Sequence, residues 1–243
     1  ELKLRCGVSQ IKVEGKRAVG VILDNGEEIE GKRILSSAGR LETLRLCDDV
    51  SEDNIRLSGQ LTFIESISIL DREPKKLGND RTIIFYNDHQ NFDWKKPVEN
   101  LCDIRTGVIC SPNNYEYSPD EGQLKEGVIR ITTIADFDRW NNLDEDQYRL
   151  AKLDWYDKSV ESAVRFVPDF RSHVVDTDVF TPTTIRRFTW HDNGAVYGAP
   201  DKQLDGSTHL PNLFLCGTDQ GFVGIIGSLI SGISMANQHC LRD

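Results

Sequence analysis

Near the end of the chain an aspartate stands between an apolar run and a cluster of glycines: Leu213-Phe214-Leu215-Cys216-Gly217-Thr218-Asp219-Gln220-Gly221-Phe222-Val223-Gly224-Ile225-Ile226-Gly227. Leu213 to Cys216 reads as a buried strand, the glycines as a turn, and the residues from Gly224 onward as an apolar helix that opens on small side chains. Such an order brings backbone N–H groups and the positive end of a helix dipole against a ligand. An acid at the end of the strand can accept hydrogen bonds from ligand hydroxyls. This is a cofactor site in outline. The bland alternative is a tight turn that closes a strand, and for Gly224, Gly227, Ser228, Ser231 and Gly232 it is close helix–sheet packing, which small residues permit.

Other residue types that could do chemistry are less well placed. The five histidines (His89, His173, His191, His209, His239) show no His-x-x-x-His spacing, and the six cysteines form no CxxC pair, so no metal site or redox dithiol is expected. Ser228 and Ser231 lie outside any Gly-x-Ser-x-Gly elbow. Asp136 and Asp138 have the look of paired carboxylates, a spacing common by chance. Arg186, Arg187, Trp190 and His191 could line a substrate cavity or form a solvated basic strand.

A net charge of −10 argues against a partner held through nucleic-acid phosphates. No apolar run approaches the roughly 20 residues that span a bilayer, and no stretch reads as a signal peptide. Scattered cysteines in a chain of 243 residues read as buried reduced thiols and point to a cytoplasmic-type compartment.

The elements that must position the glycine turn follow from periodicity. Leu2, Leu4 and Cys6 alternate as a strand, which Val8, Ile11 and Val13 continue; Gly15-Lys16 turns the chain, Val19, Val21 and Leu23 return it, and Asp24-Asn25-Gly26 turns it again. Ile34 to Gly39 reads as a short buried strand, followed by a helix from about Arg40 to Leu46. Four β-prone runs (61–70, 82–86, 102–110, 128–135) suggest an antiparallel sheet with one buried face. Asp144 and Gln147 form a capping-box pattern ahead of a helix to Val167, with Leu153, Tyr156, Val160, Ala163, Val164 and Val167 on one face and Pro168 as its stop. Residues 174–184 read as extended.

The segment Leu213 to Asp219 with Gly224-Ile225-Ile226-Gly227 resembles the carboxy-terminal flavin motif of the phytoene desaturases, carotenoid isomerases and retinol saturases, part of the flavoprotein superfamily that includes the amine oxidases. Thr181-Pro182-Thr183-Thr184 and Gly194-Ala195-Val196-Tyr197-Gly198 resemble the Thr-Pro-x-Thr and Gly-x-x-Tyr/Phe-Gly segments that precede it. Val8-Ser9-Gln10-Ile11 is similar to the family's Val-x-x-Ile strand, and Ser37-Ala38-Gly39 to its small-residue turn. The resemblance implies an FAD-dependent oxidoreductase. Asp219 would meet the ribityl chain. Gly217 and Thr218 would flank it, and Gly224, Ile225, Ile226 and Gly227 would approach the flavin ring. Val8 would pair with the adenine edge, and Ser37 and Gly39 would return toward the ADP part. Arg187, Trp190 and Tyr197 would face substrate, a hydrophobic polyene, carotenoid or retinoid. No residue is marked as a catalytic acid or base. The turn between Gly217 and Gly224 is slightly shorter than in carotenoid desaturases and lacks their His-Pro pair.

The expected fold is α+β: an α/β FAD-binding fragment from residues 1–54 and 176–243, and an antiparallel-sheet substrate domain with a covering helix from 55–175. It is an incomplete glutathione-reductase-type flavoprotein fold, because no Gly-x-Gly-x-x-Gly follows an opening strand. The chain is therefore expected to be the carboxy-terminal half of a longer protein, inactive and without FAD by itself. Its first partner would be the missing amino-terminal half, with peripheral membrane contact of the parent left open. Two alternatives stay open: an amine-oxidase- or protoporphyrinogen-oxidase-like flavoenzyme, and a non-catalytic binding module that keeps the fold.

Overall fold

The computed structural model describes residues 1–50, 58–88, 90, 98–118, 120–122 and 124–241. The alternating opening becomes a meander. β1 (Val8–Glu14) and β2 (Arg17–Leu23) pair antiparallel, and β3 (Glu28–Glu30) adds to β2. The turn between β1 and β2 needs positive φ at two positions, and Gly15 (55°) and Lys16 (64°) supply it. The strand expected around Leu2 and Leu4 is absent. Both side chains are more than 70% exposed, because among the described residues the chain before Val8 has no partner strand to bury them against. β4 (Ile34–Ser36) then leads through Gly39 (φ 105°) into α1 (Arg40–Leu46), the helix read from the sequence.

The middle of the chain builds a five-stranded sheet in the order β6-β7-β8-β5-β9. Its strands are β5 (Thr62–Leu70), β6 (Ile83–Asn87), β7 (Cys102–Cys110), β8 (Gly127–Ala135) and β9 (Val174–Phe180), and every neighbouring pair is antiparallel. β5 shows why one face is covered. Thr62, Ile64, Ser66, Ser68 and Leu70 are buried, and the residues between them are half-buried. A short α2 (Phe137–Asn141) follows β8. Asp136 caps it by accepting from the Arg139 N–H at 2.9 Å, which is the local reason for an acid there. α3 (Glu145–Ala163) carries the complete capping box: the Gln147 N–H donates to Asp144 at 2.8 Å, and the Asp144 N–H donates to Gln147 at 3.2 Å.

The buried face of α3 and the turn after it holds most of the expected residues: Val160, Ala163 and Val167 are buried and Tyr156 and Val164 pack against them, with Leu153 the exception. Leu153 is 60% exposed, while Trp155, Ser159, Val160, Ser162 and Ala163 are buried. The large indole of Trp155, packed with Ile64, Cys102, Ala135, Trp140 and Val179, sets the rotation of the helix. Lower down, Val160 and Ala163 join Leu70, Tyr86, Ile109, Ile129, Ile131, Val167 and Phe170 in a second cluster.

α4 (Pro182–Thr189) starts at a proline, and Thr181 Oγ1 accepts from the Thr184 N–H at 3.3 Å. The extended reading to Thr184 and the basic-strand reading of Arg186 and Arg187 are corrected by this helix, because proline suits a first helical turn. The last elements are β10 (Leu213–Leu215) and α5 (Gly224–Met235), which ends in a wider π turn over Ala236–Cys240. β10 pairs in parallel with β4, Leu213 opposite Ile34 and Leu215 opposite Ser36.

Two compact units result, residues 1–60 with 186–243 and residues 61–185. The expected first boundary, after residue 54, lies outside the described residues, as does His89. The expected return at residue 176 is corrected, because β9 pairs with β5 through the register Glu65 opposite Phe180 to Leu70 opposite Val174. In the first unit Ile11, Ala18, Cys47, Leu210 and Leu213 form the core. Asn212 ties its pieces together: its side-chain amide donates to the carbonyls of Ala18 and Lys32, both at 2.7 Å, and accepts from the Ala18 N–H at 2.9 Å. No described helix is long and apolar enough to cross a membrane.

Candidate cofactor site

β4 and β10 run side by side, so the segments that follow them, Ser37 to Arg40 and Cys216 to Gln220, leave the sheet from the same end. In open parallel sheets that is where ligands bind. Gly217 takes φ 88°, a conformation that favours glycine, and its N–H donates to Ser231 Oγ at 2.8 Å. Ser231 is fully buried on α5, so the turn is fastened to the helix behind it.

Asp219 is 1% exposed. Its Oδ2 accepts from the Arg40 N–H at 2.5 Å and its Oδ1 from the Ala199 N–H at 2.7 Å, with Lys202 Nζ 3.8 Å from Oδ1. The carboxylate that the sequence suggests for a ligand contact thus binds the protein's own backbone, joining the start of α1, the 198–199 turn and the 217–221 turn. Gly198 (φ 64°) makes this possible, since a Cβ there would collide with Asp219 Oδ1. Beside this centre, Glu42 accepts from the Asp192 N–H at 2.8 Å, and His191 Nδ1 stands 3.8 Å away. Burial pushes the Glu42 carboxyl above its usual range, partly offset by that hydrogen bond.

The amino end of α5 is open. Val223, its N-cap, makes no side-chain capping bond. Gly224 has φ 79°, and a Cβ built on Gly224 or Gly217 would meet nothing within 4 Å. Ile225 and Ile226 are 91% and 73% exposed, and Gly227 is half-buried. This is a glycine-lined backbone cradle with free room beside uncapped N–H groups, a fit for an electron-rich group.

The other sequence candidates lie in different settings. Ser37 is exposed and Gly39 is the buried N-cap of α1, both on the segment that supplies Arg40 to Asp219. Val8 opens β1 in the meander, opposite Leu23. Arg187 lies over the Phe188 ring on α4, Trp190 is 81% exposed with φ 62° just after that helix, and the Tyr197 carbonyl accepts from Lys202. Sequence reasoning placed Gly198 at the end of the Gly-x-x-Tyr/Phe-Gly segment without its role beside Asp219, and it missed Ala199 and the Arg40 N–H. A glycine one residue before a backbone donor to a buried acid is visible only once the three loops meet.

No protein-family model matches the chain. Among curated proteins, prolycopene isomerase of Daucus carota is 26% identical over 98% of the chain and 40% of its own length. The chain resembles the carotenoid isomerases. The chain spans about 40% of the length of the curated relatives it matches. Its fold is that of about half of an oxidoreductase from Methanosarcina mazei, with a TM-score of 0.58, 13% identity and coverage of 96% of this chain and 49% of that one. A glycine oxidase from Bacillus cereus gives a TM-score of 0.51 at 16% identity over the same shares. Mixed α+β architecture with antiparallel sheets, as read from the sequence, is what the chain shows.

Proposed function

We propose that the chain is the carboxy-terminal part of an FAD-dependent oxidoreductase acting on a hydrophobic polyene, carotenoid- or retinoid-like substrate by desaturation, saturation or isomerisation. The observation that carries this reading is the match to prolycopene isomerases along 98% of the chain. The cradle at Gly217 and Gly224 supports it. FAD held there would supply the hydride acceptor for an alkyl or polyene carbon. The amino end of α5 favours negative charge on a group placed against it. Asp219 serves by holding the three loops that shape the cradle. Thr218, which is half-exposed, and the backbone of the turn would be the groups left to meet the ribityl chain of FAD held there. Arg187, Trp190 and Tyr197 are proposed as substrate contacts.

The missing amino-terminal half is the proposed partner. The large side chains of α5 call for a cover: Ile225, Ile226, Leu229, Ile230 and Ile233 are 45% to 91% exposed. The test is the visible absorption spectrum of the protein extended upstream of Glu1, purified without added cofactor. A flavin spectrum that bleaches with reductant is expected, with turnover of polyenes rather than amines. A protein that stays colourless with added FAD overturns the reading. Tight stoichiometric FAD binding by residues 1–243 alone would overturn the need for a second half.

A further inference from the structure

Just beyond α1, three side chains of different chemistry converge within the first unit. Cys47 is the C-cap of α1 and 4% exposed; its backbone bridges to Ile11, and its thiol donates to the Thr43 carbonyl at 3.4 Å. Asp49 follows two residues later. His209 arrives from the other end of the chain, held by its neighbour Leu210, which shares the buried cluster of Cys47 and Ile11. His209 Nε2 lies 3.0 Å from Asp49 Oδ1, and one donor atom from each of the three residues lies within 4.8 Å of the others.

Bond lengths of about 2.0–2.3 Å place the ligand atoms of a tetrahedral zinc roughly 3.3–3.6 Å apart. The partly exposed Asp49 and His209 side chains reach that spacing by small rotations, while core packing fixes Cys47. Thiolate, imidazole and carboxylate together are a donor set for zinc rather than for calcium or magnesium. Asp49 and His209 also line a cleft of about 340 Å³, with Arg40, Gln203, Ser207 and Thr208 on its walls. We infer that Cys47, Asp49 and His209 form a zinc site with three protein ligands, whose fourth position opens on this cleft to water or a small anion. Arg40, on the cleft wall, is suited to an anion there. Burial, followed by Asp49 and Asp48, pushes the Cys47 thiol up to about 12, so zinc must displace a proton to bind.

The test uses the 243-residue chain, stripped with a chelator and titrated with Zn²⁺ alone. One Zn²⁺ per chain is expected, and Co²⁺ in its place should give a near-ultraviolet thiolate charge-transfer band. Loss of an outer-sphere partner weakens metal binding by about 10–100-fold, so His209→Gln and Cys47→Ser should each weaken it by at least about 100-fold. Cys6→Ser should leave it unchanged. The partly exposed His209→Gln tests the idea even if the buried Cys47→Ser fails to fold. Absence of stoichiometric Zn²⁺, a cobalt complex without the thiolate band, or binding that survives His209→Gln overturns the proposal.

Discussion

Asp219 couples backbone segments that are remote in sequence, and its replacement should register as a loss of stability. Asp219→Ala leaves the N–H groups of Arg40 and Ala199 without their charged acceptor and is expected to cost about 2–4 kcal/mol in urea unfolding. Asp219→Asn keeps an acceptor oxygen and should cost less. If Ala and Asn behave alike and lose under 1 kcal/mol, the carboxylate is not holding the loops. Gly198→Ala should be as harmful as Asp219→Ala, because its methyl takes the place of Oδ1 and its φ of 64° disfavours a side chain. At the same scale, burial pushes the thiols of Cys47 and Cys102 from 9.0 to about 12. A thiol whose native pKa is raised stabilises the fold while protonated. That contribution is whole below pH 9.0 and is lost as pH climbs toward about 12. The melting temperature should therefore fall across this alkaline window, and Cys47→Ala with Cys102→Ala should flatten the fall.

Among the elements, α3 offers the sharpest test of side-chain rotation. Trp155→Ala is expected to cost about 3–5 kcal/mol, and Leu153→Ala to stay within about 0.5 kcal/mol; the reverse order would mean that Leu153, not Trp155, faces the core. Asp144→Ala should cost about 1 kcal/mol through loss of the capping box. This helix also illustrates how far the sequence could be read. Its start was legible because Asp144 and Gln147 interact three residues apart. Much of its buried face was legible as well, in Tyr156, Val160, Ala163 and Val164; the burial of Trp155, Ser159 and Ser162 was not, because it comes from tertiary neighbours that periodicity does not contain. The four β-prone runs became β5 to β8, legible from their β-branched and aromatic residues rather than from alternation, which β7 lacks. The partner of β9 was illegible, since Val175 to Asp178 are exposed and carry no apolar alternation. In the site, the glycine turn and α5 were legible from local residues. The bonds from Arg40 and Ala199 to Asp219, and the meeting of Cys47 with His209, depend on the parallel pairing of β4 with β10.

For the whole molecule, the exposed isoleucines and leucine of α5 predict behaviour in solution. The chain by itself should bind a hydrophobic dye and self-associate, and Ile226→Glu with Leu229→Glu should reduce both. Dye binding unchanged by the paired substitutions would place the sticky surface elsewhere. The bonds between Ala18 and Asn212 link residues 194 positions apart. Unit 61–185 is continuous, whereas the other unit needs both ends of the chain. During synthesis the five-stranded sheet can therefore close on the ribosome while β1 to β4 wait, and β4 meets β10 only after the last segment emerges. Translation that stalls before residue 212 leaves the opening meander without the strand and the asparagine that complete it, an early target for chaperones and proteases.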